Sequence, residues 1–185
     1  MAIGLLVSGV CKRIRERRNS GCMAIDFDLD MATGSSAVEV ATWLAEIGRE
    51  IGVFDASFTA ERLLDKGVFF YTSRGLWVRV LETDRLSPWD PVVTELGFTP
   101  TVSVAFRMGK GTDVGLQQTD MVGLVARLLE RVEGDAVLHF QYEVIWLLRR
   151  NGELSLNERD DIWPPRRLAL MAQPYRRETH SMDSE

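Results

Sequence analysis

Residues 136–148 read AVLHFQYEVIWLL, and Arg149-Arg150-Asn151-Gly152 follows before ELSLN at 153–157. How this stretch is divided decides the fold. Leu138, Phe140, Tyr142, Val144, Trp146 and Leu148 alternate without interruption, which is the period of a strand with one buried face. The run reads as one long strand bulged near Gln141, with two strands and a tight turn there as the alternative. Asn151-Gly152 is a two-residue hairpin signal, because both positions accept positive φ. The chain therefore returns antiparallel through ELSLN.

Working outward, the same alternation appears at IDFDLDM (25–31), where Ile25, Phe27, Leu29 and Met31 face one way and Asp26, Asp28 and Asp30 the other. Ser36 with Glu39 three residues later predicts a capping box. The helix it opens carries Val40, Leu44, Ile47 and Ile51 as its apolar stripe and ends near Gly52. A shorter helix is expected over Thr59–Lys66. VFFYTS (68–73) and LWVRVLE (76–82) predict two strands joined at Arg74-Gly75, and TVSVAFR (101–107) predicts another. Residues 84–100, with Pro88, Pro91 and Pro100, read as an ordered loop. Met121 to Val132 repeat at helical spacing up to Gly134. The Pro164-Pro165 pair stops any continuing strand, a short turn is expected over Leu168–Met171, and the tail from Thr179 should fray. Strands joined by hairpins and interspersed with two long helices predict an α+β two-layer sandwich. Its antiparallel sheet would carry helices on one face, built from two βαββ-like halves.

The chain has 185 residues and a net charge of −5. Residues 1–22 hold five basic side chains against Glu16, so residues 23–185 carry −9. A body that acidic disfavours nucleic acid and favours basic partners. Both cysteines, Cys11 and Cys22, lie in the basic stretch, so no disulfide framework supports the body, and a reducing cytoplasm is the expected compartment. Residues 1–22 read as a loose extension, 23–178 as a single domain and 179–185 as a disordered tail. In MAIGLLVSGVC the positive charges follow the apolar run, unlike a secretory signal, and the run is too short to span a bilayer. Its apolar-then-basic order leaves a membrane-surface anchor open.

The chemistry-bearing candidates are few. SLNERDDIWPPRR (155–167) gathers Glu158, Asp160, Asp161 and Trp163. Adjacent side chains of an extended segment point apart, so Asp160 and Asp161 do not converge as a catalytic carboxylate pair. A solvated or partner-facing cluster is the better reading, with its acids tied to Arg149, Arg150, Arg166 or Arg167 as the alternative. MGKGTD (108–113) sits where a phosphate loop would, but Val104 and Val114 stand where the Walker and dinucleotide patterns need glycine. It reads as a glycine turn. His139 and His180 are too far apart in sequence, with no cysteine in the body, to suggest zinc, and no cofactor is expected. His139 reads as a sheet histidine hydrogen-bonded to a neighbour. Trp77, Trp89, Trp146 and Trp163 read as packing residues, except where exposure of Trp89 or Trp163 would suit a protein interface.

FDAS (54–57), PWDPVVTELGFTPTVSVAFRM (88–108), QQTDMV (117–122), residues 134–170 and PYRR (174–177) resemble the SitI family. These are small bacterial immunity proteins named for a myxobacterial swarming-inhibition toxin system. The resemblance spans about residues 23–180. It implies binding and neutralising a cognate toxin inside the producing or kin cell, and it carries over no catalytic residue. The partner would be a basic toxin domain, met through Glu158, Asp160, Asp161, Trp163, Trp89 and Asp90. The alternatives are an enzyme or nucleotide binder using the Gly109–Thr112 turn with His139, and a general interaction domain.

Overall fold

A computed structural model describes residues 25–65, 67, 70–83, 89–110 and 112–182. The expectation for residues 1–22 lies outside these. The elements run β1 (Ile25–Ala32), α1 (Ala37–Glu50), α2 (Ala60–Leu64), β2 (Leu76–Glu82), α3 (Pro91–Thr94), β3 (Val102–Met108), α4 (Val114–Leu129), β4 (Asp135–Phe140), β5 (Val144–Arg150), β6 (Glu153–Leu156), α5 (Pro165–Leu168) and β7 (Arg176–Arg177). The strands form one sheet in the order β2-β3-β1-β4-β5-β6-β7, antiparallel except for the β6–β7 pair. The fold is α+β, as the alternation predicts. The repeat differs from two βαββ halves. β3 lies between β1 and β2, and β1 lies between β3 and β4. The two units are thus β1-α1-β2 and β3-α4-β4, each a split crossover interleaved with the other, and β5 to β7 extend the β4 side.

Cross-strand registers assign every side chain to a face. Val78, Phe106, Phe27 and Phe140 lie in one row, and Val80, Val104, Leu29, Leu138, Leu147 and Leu156 in the next. These rows pack against α1 and α4 in the main core. α1 starts at the expected capping box, with the Ser36 side chain accepting from the Glu39 amide and the Glu39 carboxylate accepting from the Ser36 amide. Arg149 donates to the carbonyls of Leu129 and Gly134, satisfying acceptors at the exit of α4. The opposite face carries Arg79, Ala105, Asp28 and His139 in one row. Beside them a small second core of Val92, Phe98, Val137, Ile145, Leu148 and Met182 closes over one end.

The stretch 136–148 is two strands, not one. The chain turns at Gln141 and Tyr142, both at positive φ (50° and 62°). The bulge falls in β5 rather than near Gln141. His139 opposes Ile145 and Leu138 opposes Leu147, which leaves Trp146 as the extra residue. The turn itself keeps the alternation in phase, since Phe140 opposes Val144, and the bulge breaks it beyond Trp146, placing Leu147 on the main-core face and Leu148 opposite Val137 on the other. Asn151 and Gly152 make the expected hairpin turn, with φ of 51° and 81°. Three further expectations change. The strand over 68–73 reduces, among its described residues, to one bridge between Tyr71 and Trp77. The loop before β3 contains α3, capped by Asp90 with Pro91 in its first position. The tail is held through Met182. The Thr179 hydroxyl donates to Glu158, His180 Nε2 lies 2.8 Å from Ser155 Oγ, and Met182 is buried. Among the described residues no helix is long and apolar enough to cross a membrane.

Candidate functional site

The 155–167 segment leaves β6 and wraps the end of the sheet toward the start of α4. Two buried groups hold it there. Trp163 is 1% exposed, and its Nε1 donates to the Trp146 carbonyl (3.0 Å), which also accepts from the Asn157 amide. Arg167 is also buried. It donates to the Ile162 carbonyl (2.6 Å), to Gln118 Oε1 (2.7 Å) and to the Gly115 carbonyl (3.3 Å), and lies 5.3 Å over the Trp146 ring. Burial, and then the charge of Arg166, lower its pKa. Trp163 is therefore a core anchor and not a partner contact. Its flanking prolines gave the sequence a loop signature, but the tryptophan turns inward to fill the space beside Trp146.

The acids of the segment face solvent. Asp161 accepts two bonds from Arg159, at 3.1 and 2.7 Å, and that guanidinium holds its carboxyl below the usual range. The Asp160 side chain is 96% exposed and meets Arg177 at 3.5 Å. Glu158 accepts from Thr179. The alternative pairing with Arg149, Arg150, Arg166 or Arg167 is not what holds them. Arg150 pairs with Asp135 on β4, and Arg149 and Arg167 bind the carbonyls already named.

Of these acids, Asp161 borders a cleft of about 360 Å³. Ile25, Phe27, Phe140, Val144, Trp146 and Ile162 make its walls and floor, and Gln118, Arg159 and Asp161 make its polar rim. Phe27 meets Trp146 edge-on at 4.8 Å and Phe140 at 5.3 Å, so the floor is a fixed aromatic arrangement. The cleft is on the helix-bearing face. Trp89 and Asp90 lie on the other side of the sheet. Trp89 is 84% exposed. Asp90 caps α3 through the Val92 amide, and its second oxygen faces Tyr142 Oη at 3.5 Å. Burial raises its carboxyl. The two groups of candidate residues thus belong to different faces, which the linear sequence does not reveal.

His139 is the hub of the face opposite α1 and α4. It is fully buried, with Nε2 2.9 Å from Asp30 and Nδ1 accepting from the Tyr142 amide. The Tyr142 ring stacks over it at 4.4 Å. Beside it, burial raises the Asp28 carboxyl to about 6, with Asp30 and Asp26 adding to the rise and His139 and Arg107 opposing it. The three aspartates spaced by two along β1 were the signal for this cluster. Each faces the same side and one had to meet whatever β4 placed opposite. Among the described residues, no group of three or more His, Cys, Asp or Glu is arranged to hold a metal ion.

The glycine turn after β3 is separate from His139. Gln117 closes it, with Oε1 accepting from the Gly109 amide and Nε2 donating to the Gly109 carbonyl and to Thr112. The Gly109 amide also donates to the Gly75 carbonyl, at a place where a Cβ on residue 109 would collide with that carbonyl. Gly109 follows the row of Met108 and Ile25, whereas His139 pairs with Asp28 three residues further along β1. The two parts of the nucleotide-binding alternative are not brought together.

No curated protein and no solved structure gives a match. A family model described as SitI3-like matches residues 25–167, from the first residue of β1 through Arg167, which locks the acidic segment. The chain belongs to the SitI3-like family.

Proposed function

We propose that this chain is an immunity protein that binds a cognate toxin and neutralises it by occupying it, in the cytoplasm of the producing or kin cell. The observation that carries the reading is family membership over residues 25–167, joined to a site suited to contact. The 158–161 segment offers exposed charge on a backbone fixed from beneath by Trp163 and Arg167. Binding of this kind needs a surface ordered before encounter, since ordering a loop on binding costs affinity. The −9 of residues 23–185 suits a basic toxin domain and would speed its capture. The test is co-expression with a candidate cognate toxin, sought among the products of the neighbouring genes. Cells producing that toxin should survive when this chain is present, and the two proteins should co-elute. Continued death with the chain stably expressed would reject the reading.

A further inference from the structure

We infer that the apolar cleft between the β4–β5 turn and the 159–162 segment is the anchor point for the partner, and that it receives an apolar side chain flanked by lysine or arginine. This rests on the immunity reading and adds the contact face and the chemistry of the partner to it. Three observations point to that occupant. The floor is apolar and preformed, with Phe27 and Trp146 packed edge-on and buried. Its volume of about 360 Å³ is near the bottom of the range for small-molecule sites, roughly 300–1,000 Å³, and fits a side-chain anchor. The mouth is polar and charged. Arg159 and Asp161 face each other across two hydrogen bonds, with side chains 55% and 66% exposed, so their pairing adds little stability and leaves both free to reorient toward a partner. Finally, an exposed acid stands one residue outside the lining on each side, Glu143 next to Val144 and Asp160 next to Asp161. Together with the acidic body, these select for positive charge around the apolar anchor.

The second depression, about 560 Å³ between Gly152–Leu154 and Gln173–Arg176, lacks a preformed floor of this kind, because Leu154 is the one buried residue of its lining.

The experiment is calorimetric titration and stopped-flow association of the purified full chain with the purified domain of the candidate cognate toxin. Val144→Trp fills the cleft from its wall and should weaken binding at least tenfold, mainly through faster dissociation. Glu143→Lys combined with Asp160→Lys alters exposed side chains alone and should weaken binding about tenfold, mainly through slower association. Val38→Lys, on an exposed position of α1, should change neither. Wild-type binding that both the filled cleft and the reversed rim leave intact would overturn the cleft as the contact face while the immunity reading stands. Should Val144→Trp lose its cooperative melting transition, the charge-reversed variant alone decides. Absence of any wild-type binding, with no protection on co-expression, would sink both.

Discussion

Asp28 is the residue whose position has the clearest energetic consequence. Its carboxyl is held near 6, up from 3.8, chiefly by burial, with Asp30 and Asp26 adding to the rise against His139 and Arg107. A carboxyl that keeps its proton more tightly in the fold than in the unfolded chain favours the fold at acid pH. That contribution is complete below about 4 and is lost as pH rises through about 6. At neutral pH the ionised Asp28 is a cost. Asp28→Asn should therefore raise stability at pH 7 by about 1–3 kcal/mol and give no gain at pH 4, measured by denaturant melts at both values. An equal effect at the two pH values would show that burial does not control this group. Arg167 works in the opposite sense. It is buried with its donors spent on the Ile162 and Gly115 carbonyls and on Gln118. Arg167→Ala orphans these acceptors and should cost about 2–4 kcal/mol of unfolding free energy. Arg167→Lys should recover little, since one ammonium cannot span the forked set.

At the scale of elements, what the sequence discloses is what depends on neighbours in the chain. The Ser36–Glu39 box, the Asn151-Gly152 turn and the alternations of β1, β2 and β3 are local patterns, and the structure has all of them. The break between β4 and β5 is legible in the sequence only as an alternative, because Gln141 and Tyr142 are not residues that favour positive φ, and the turn leaves Phe140 and Val144 opposite each other on one face, so the alternation runs on across it. The fold imposes this turn, and the burial of Leu138, Trp146 and Leu147 on one side with His139 on the other offsets the backbone cost. The interleaved sheet order was equally hidden, since alternation tells which face a residue takes and nothing about which strand lies beside it. For the same reason the acids at 158–161 were legible as exposed charge, while Trp163, Trp89 and Asp90 were not legible as belonging to separate surroundings. The glycine turn after β3 makes a prediction at this scale. Gly109→Ala places a methyl group against the Gly75 carbonyl and should lower stability by about 2 kcal/mol or more, whereas Lys110→Ala next to it should stay within about 0.5 kcal/mol by thermal melting. Equal effects would mean that the close approach of the two glycines is not what the turn requires.

For the whole molecule, the acidic body and the acids at 160 and 161 should act on encounter. Asp160 and Asp161 are exposed and contact Arg177 and Arg159 at the surface. Asp160→Asn with Asp161→Asn should thus leave stability within about 1 kcal/mol and slow toxin association up to about tenfold at low salt, less as salt rises. A marked loss of stability with unchanged association would assign these acids to the scaffold. The central claim is that protection comes from occupancy and not from turnover. The direct measurement is residual activity of the candidate cognate toxin, purified and held well above the dissociation constant, as this chain is added in increments. Occupancy predicts a straight decline to an end point at a fixed molar ratio, unchanged by longer incubation. Complete loss of toxin activity at a small fraction of that ratio, growing with time, would contradict it and make the chain an enzyme acting on the toxin or its product.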